Sequence, residues 1–183
     1  MLEAYRRQTA HLLDVLNERL AEAAQVLVET GAYPSMDALL SDYSSYLTGL
    51  FATVAGIDGD VSPDEMVVML FQGLEQFGTG DDYLAAVRRI ERRAAHGPEQ
   101  LLEIPPFLRA AADCDRRFGT NIAADIVNAL LGMAESVATA DFRTHPAEAR
   151  FLEGYTALLE GFLRDCGLDP DGEDAEDVPA LHA

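Results

Sequence analysis

Acidic side chains gather in one short turn between two apolar runs of the chain. Asp58, Asp60 and Glu65 lie in the stretch VAGIDGDVSPDEMVVML, which begins at Val54. Carboxylate oxygens are the ligands that hard divalent cations such as Ca²⁺ and Mg²⁺ prefer in proteins. This turn is therefore a candidate site for a divalent cation, and the sequence gives no reason to require any other cofactor.

The same pattern returns later in the chain. Asp141 and Glu148 follow Asp58 and Glu65 at a constant offset of 83 residues, and Val, Ala and Pro recur in the same register. Each copy is preceded and followed by an apolar run, so the repeated unit is predicted to be a helix, a short acidic turn and a helix. Asp141 and Glu148 are thereby the counterparts of Asp58 and Glu65 in the second turn.

A structural role explains the same residues without a metal. Ser62 as N-cap, Pro63 in the first helical position and Glu65 two residues later form a capping box, worth about 1 kcal/mol. Capping alone and capping with weak metal binding both remain open. An EF-hand is excluded, because its register would place Val54 and Gly56 at the first two ligand positions.

Other chemistries find less support in the residues. His145 and Glu148 have the spacing used in carboxylate-bridged di-iron bundles, but the first copy has a serine in place of the histidine, so the ligand set is incomplete. Cys114 lies between two aspartates, which disfavour its thiolate. Without a base, nucleophile and oxyanion set, a hydrolase with paired carboxylates is the weakest interpretation, and a non-enzymatic protein is predicted.

Apolar spacing at three and four residues predicts an all-α fold of about seven to eight helices. We expect one domain over residues 1–166, in which helix 2–29 is an addition to the core, and an acidic, mobile tail over 167–183. The predicted helices cover residues 2–29, 35–56, 62–77, 81–96, 99–103, 107–118 and 120–137, and a last one containing Phe151 to Leu163.

The charge of the chain restricts its partners. Thirty-two acidic residues against 13 basic ones, all of them arginine, give a net charge of −19. Such a surface repels nucleic acid and anionic membranes and favours a protein with a basic face. The basic cluster Arg88–Arg93 either pairs with the acidic surface of its own chain or docks an acidic partner or a second subunit, so a homo-oligomer is open.

The cellular compartment is predicted from the cysteines, from the first residues and from the length of the apolar runs. Cys114 and Cys166 have no metal-type spacing, the chain starts with a charged helical stretch, and no apolar run approaches the roughly 20 residues that span a bilayer. A cytoplasmic protein without direct membrane insertion is therefore expected.

With the duplicated turn in view, the chain resembles the TerB-like family of tellurite-resistance proteins. The family pattern Ala-x-x-Asp-Gly-x-Val-Ser-x-x-Glu matches Ala55–Glu65, and a related turn runs from Ala138 to Glu148. The second turn departs from the pattern, because Arg143 stands where the first has Asp60. The resemblance implies a cytoplasmic helical bundle of two helix-turn-helix repeats with divalent-metal binding at the acidic positions Asp58, Asp60, Glu65, Asp141 and Glu148.

Two functions are expected from this resemblance together with the charge. The first is a TerB-like module in a bacterial stress or tellurite-resistance system, with weak divalent-metal binding at the acidic turns. The alternative is a metal-independent adaptor that uses its acidic face and tail to hold a protein partner, such as an ATPase or a chaperone.

Overall fold

The described part of the chain consists of helices joined by short turns. A computed structural model describes residues 24–57, 103–139 and 145–168, together with residues 11, 15, 18 and 21, which are helical. We number the helices in chain order as α1 (residues 24–29), α2 (Met36–Gly56), α3 (Pro106–Phe118), α4 (Ile122–Ala138) and α5 (Pro146–Asp165). No strand occurs in these described segments, which confirms the all-α prediction there.

Helix α2 begins where its sequence signal predicts. The side chain of Ser35 accepts a hydrogen bond from the backbone N–H of Ala38 at 3.2 Å, which satisfies one of the unpaired donors of the first turn. The helix ends at Gly56, the predicted end. Its inner face is buried along its whole length through Leu39, Tyr43, Leu47, Leu50, Phe51, Val54 and Ala55.

Prolines and a glycine set the limits of α3. Pro105 is the N-cap and Pro106 the first helical residue, where a missing backbone N–H costs nothing. Gly119 ends the helix with φ of 67°, the left-handed conformation that glycine adopts without a Cβ clash. The predicted helix 107–118 is thus confirmed to within one residue.

Helix α4 lies at the centre of the described core. It packs against α2, α3 and α5. Twelve of its residues are buried, and six of them are alanine or serine. The twelve are Ile122, Ala123, Ala124, Ile126, Val127, Ala129, Leu130, Met133, Ala134, Ser136, Val137 and Ala138.

Helices α2 and α4 bury equivalent positions at the offset that separates the two acidic turns. Seven buried residues of α2 each have a buried counterpart 83 residues later. The pairs are Leu39 and Ile122, Tyr43 and Ile126, Leu47 and Leu130, Leu50 and Met133, Phe51 and Ala134, Val54 and Val137, and Ala55 and Ala138. Both helices therefore present the same face to the core before the chain enters each turn.

Several predicted features lie outside the described residues. They are the predicted helices 62–77 and 81–96, most of 99–103, the turns that contain Asp58 and Asp141, the Arg88–Arg93 cluster and the tail beyond Leu168. The total of seven to eight helices and the two-repeat bundle therefore stay predictions. Of the helices that are described, none is long and apolar enough to cross a membrane.

Candidate functional site

The second acidic turn leads into a helix start made by His145 and Glu148. The Oε2 atom of Glu148 accepts a hydrogen bond from the backbone N–H of His145 at 2.6 Å. In return, Nδ1 of His145 accepts one from the backbone N–H of Ala147 at 3.3 Å. With Pro146 in the first helical position, these bonds form a capping box at the start of α5.

Glu148 is the one predicted metal ligand that the structure describes. Its side chain is only 3% exposed, and one carboxylate oxygen is engaged by the backbone of His145. A carboxylate buried at a helix N-terminus is stabilised there by the helix dipole and by the N–H donor. The capping role expected for Glu65 in the first turn is thus observed at its counterpart in the second.

The remaining predicted ligands, Asp58, Asp60, Glu65 and Asp141, lie outside the described residues. Within the described segments, no group of three or more histidine, cysteine, aspartate or glutamate side chains is arranged to hold a metal ion. The structure describes the ends of the two helices that lead into the turns. These ends are buried, at Val54 and Ala55 before the first turn and at Val137 and Ala138 before the second.

The di-iron interpretation of His145 and Glu148 meets a geometric difficulty. Nδ1 of His145 accepts the hydrogen bond from Ala147, so that nitrogen has no lone pair left for a metal in this conformation. His145 is exposed at the helix start, and within the described segments it belongs to no group of three or more metal-ligating side chains. The pair serves the helix cap.

A second buried carboxylate, Asp115, was not predicted from the sequence. Its Oδ1 accepts hydrogen bonds from the hydroxyl of Thr120 at 2.5 Å and from the backbone N–H of Ile122 at 3.0 Å. Its Oδ2 accepts one from the backbone N–H of Ala123 at 2.7 Å. Asp115 stands at the end of α3 and therefore caps α4 across the turn that joins them.

Burial and neighbouring charges together disfavour the thiolate form of Cys114. The thiol is buried in α3, and burial raises its pKa first of all. The charge of Asp115 raises the pKa further, Arg117 lowers it, and Asp113 raises it slightly. Because the thiolate is the reactive form, this cysteine is disfavoured as a nucleophile.

A cluster of aromatic residues joins α2, α3 and α5. The hydroxyl groups of Tyr46 and Tyr155 are 2.9 Å apart, which makes a hydrogen bond between residues 109 positions apart in sequence. Phe107 meets the rings of Tyr43 and Tyr46 edge-on, at centroid distances of 5.9 and 5.6 Å. Phe151 stacks on Tyr155 at 5.6 Å.

Burial holds the tyrosines of this cluster in the protonated form. It raises the pKa of Tyr46 to about 12, although the hydrogen bond from Tyr155 lowers that value. It raises the pKa of Tyr155 well above the ordinary value, with smaller contributions from Tyr46. These hydroxyls join two helices by a hydrogen bond and remain protonated near neutral pH.

In comparisons with protein families, curated proteins and solved structures, nothing matches this chain. The TerB-like resemblance therefore rests on the motif residues alone and stays a prediction.

Proposed function

We propose that this protein is a non-enzymatic TerB-like helical module. It binds a divalent cation weakly at its first acidic turn. It serves a bacterial stress-response system of the tellurite-resistance type. The observation that carries the proposal is the equivalent burial of α2 and α4 at an offset of 83 residues. The acidic turns recur at the same offset, so each turn continues from the same end of an equivalently packed helix. The residues that lead into the turns are buried in both cases, Val54 and Ala55 before the first and Val137 and Ala138 before the second.

The two turns are not equal as ligand sets. Asp58, Asp60 and Glu65 contribute three carboxylates to the first turn, whereas the second has Asp141 and Glu148 with Arg143 in the place of Asp60. An arginine beside a cation site adds repulsion and removes a ligand. We therefore assign the cation to the first turn, with a structural role for the second.

Isothermal titration calorimetry of the metal-free protein with Ca²⁺ and Mg²⁺ tests this proposal. Asp58→Asn is expected to abolish the binding heat, because it removes a charged ligand. Glu148→Gln keeps a hydrogen-bond acceptor for the backbone N–H of His145, so the helix cap survives and the binding heat is expected to stay. Glu153→Gln, on the exposed face of α5, changes the net charge by the same amount as Asp58→Asn. It is the matched control and is also expected to leave the binding heat unchanged.

A second function, a metal-independent adaptor that holds a protein partner, is favoured by the engagement of Glu148 in a capping box. If both acidic turns serve only as helix caps, Ca²⁺ and Mg²⁺ give no heat, or heat that Asp58→Asn leaves unchanged. Either result removes the metal proposal. Affinity capture from the native host, with and without residues 169–183, then identifies the partner and the contribution of the tail.

A further inference from the structure

Three exposed arginines lie along α3. They are Arg109, Arg116 and Arg117, which we call the arginine face. Arg116 pairs with Asp113, and Nε of Arg109 donates a hydrogen bond to the backbone carbonyl of Ile104 at 3.4 Å. Arg117 forms no ion pair within the described segments. The face is thus a local concentration of positive charge in a chain of net charge −19.

The nearby acids answer this charge only in part. Of the carboxylates in residues 103–118, Asp115 is buried, and only Glu103 and Asp113 reach the surface, against three arginines. An exposed pair such as Arg116 with Asp113 stabilises a protein little. Because a guanidinium has five N–H donors, Arg116 can bind a second carboxylate without losing the first.

Helices α3 and α5 finish at the same end of the bundle. Each packs against α4 and is joined to it by a short connection, so each runs antiparallel to α4. Asp113 raises the pKa of the Arg116 guanidinium through its hydrogen bond and its charge, and the charge of Cys166 also raises it. Cys166, the C-cap of α5, therefore lies near the arginine face.

The chain leaves α5 from a fixed point. Gly167 adopts a φ of 73°, and the backbone N–H of Leu168 donates to the carbonyl of Leu163 at 2.9 Å, as in a Schellman motif. The side chain of Leu168 is partly buried and packs against the core. The tail that follows therefore starts beside the end of α3.

The first nine residues of that tail complement the arginine face in charge. Residues 169–177 contain six aspartates and glutamates and no basic side chain. We propose that residues 169–177 dock on the arginine face of their own chain, with their carboxylates on Arg116, Arg117 and Arg109. Nine extended residues reach about 30 Å, whereas Arg109 lies only about 10 Å along α3 from Arg116. The short tether keeps the effective concentration of the tail high.

The chain contains no lysine, which allows a direct test by cross-linking. Arg117→Lys keeps the positive charge and introduces one lysine, and a carbodiimide joins its amine to a carboxylate in contact with it. The full chain is cross-linked in the presence of a chelator, so the test is independent of cation binding. Mass spectrometry of the monomer is expected to find cross-links from this lysine to residues 169–177.

Arg150→Lys is the matched control, at an exposed position in the first turn of α5, about 20 Å along that helix from Arg164. Cross-links to Asp113 from the first lysine and to Glu153 from the second show that both amines react. The yield of tail cross-links is expected to be about five- to tenfold lower for Arg150→Lys. At 1 M salt, where the Debye length is about 3 Å, the yield for Arg117→Lys is expected to fall about two- to fivefold.

Three results would overturn the inference. The first is an equal yield of tail cross-links from both lysines, or none from Arg117→Lys although it reacts with Asp113. The second is tail cross-links found only between two molecules, which would assign the tail to a second copy. The third is a higher tail yield from Arg89→Lys, in the cluster Arg88–Arg93, than from Arg117→Lys.

Discussion

Two buried carboxylates in this protein serve the starts of helices. Asp115 and Glu148 are each 3% exposed, and each accepts hydrogen bonds from backbone N–H groups, at the start of α4 and of α5 respectively. The environment of a helix N-terminus makes such burial tolerable, since donors and the helix dipole replace the lost water. Glu148, the one predicted metal ligand that is described, thus has a structural role as part of a helix cap.

Asp115→Ala is expected to lower the free energy of unfolding by about 2 to 3 kcal/mol, because it leaves the N–H groups of Ile122 and Ala123 without their acceptor. Urea denaturation followed by circular dichroism measures the loss. Asp113→Ala, two residues away in the exposed pair with Arg116, is the control and is expected to change little. Equal losses for the two variants would show that Asp115 is not the cap of α4.

Removing either hydroxyl of the Tyr46–Tyr155 pair is expected to lower the free energy of unfolding, but by different amounts. Tyr46→Phe leaves the fully buried hydroxyl of Tyr155 without a partner, which is expected to cost about 1 to 2 kcal/mol. Tyr155→Phe leaves the hydroxyl of Tyr46 without this partner, but the Tyr46 side chain is only partly buried, so the expected cost is smaller. The double variant is expected to cost less than the two single changes added together. Chemical denaturation of the three variants checks this, and additive costs would contradict the hydrogen bond.

Stability at alkaline pH follows from the same residues. Burial raises the pKa of Tyr46 from 10.0 to about 12 and that of Tyr155 in the same direction, so the folded state keeps protons that the unfolded chain releases. The stabilisation is therefore complete below pH 10 and is lost as pH rises from there through about 12. The free energy of unfolding is expected to fall in that window, and less steeply in Tyr46→Phe. An identical pH dependence in the variant would contradict the assignment.

At the scale of elements, local signals predict the ends of the described helices α2 and α3. Ser35 and Gly56 mark the ends of α2, and the proline pair and Gly119 mark those of α3, because capping and φ restrictions are properties of a few adjacent residues. Asp115 could not be predicted in this way. It acts on the backbone of Ala123, eight positions further on, and only the angle between α3 and α4 brings the two together.

Gly119 offers a test of the turn that ends α3. Gly119→Ala is expected to cost about 1 kcal/mol, since its φ of 67° disfavours any Cβ atom, although no neighbour lies within 4 Å of the added methyl group. Gly154→Ala in α5 has the same free space and helical φ, so it is expected to stabilise by up to about 1 kcal/mol. Thermal unfolding of both variants measures the difference, and a loss of the same size in both would contradict the conformational explanation.

At the scale of the whole molecule, the account depends on two equivalent helices that lead into two acidic turns. The buried faces of α2 and α4 could be predicted from apolar spacing, and their equivalence from the repeated motif, because both are periodic in sequence. The aromatic contacts between α2, α3 and α5 could not, since a hydrogen bond between Tyr46 and Tyr155 depends on the packing of distant helices. The candidate site was predicted as a ligand set, and its one described member is a cap.

The cation at the first turn is tested most directly by the effect of Ca²⁺ on stability. At a Ca²⁺ concentration 100 times its dissociation constant, a cation that binds only the folded state raises the free energy of unfolding by about 2.7 kcal/mol. The account predicts that this increase occurs in the unaltered protein, disappears in Asp58→Asn and persists in Asp141→Asn. No increase over a chelator control, or the same increase in Asp58→Asn, would contradict it.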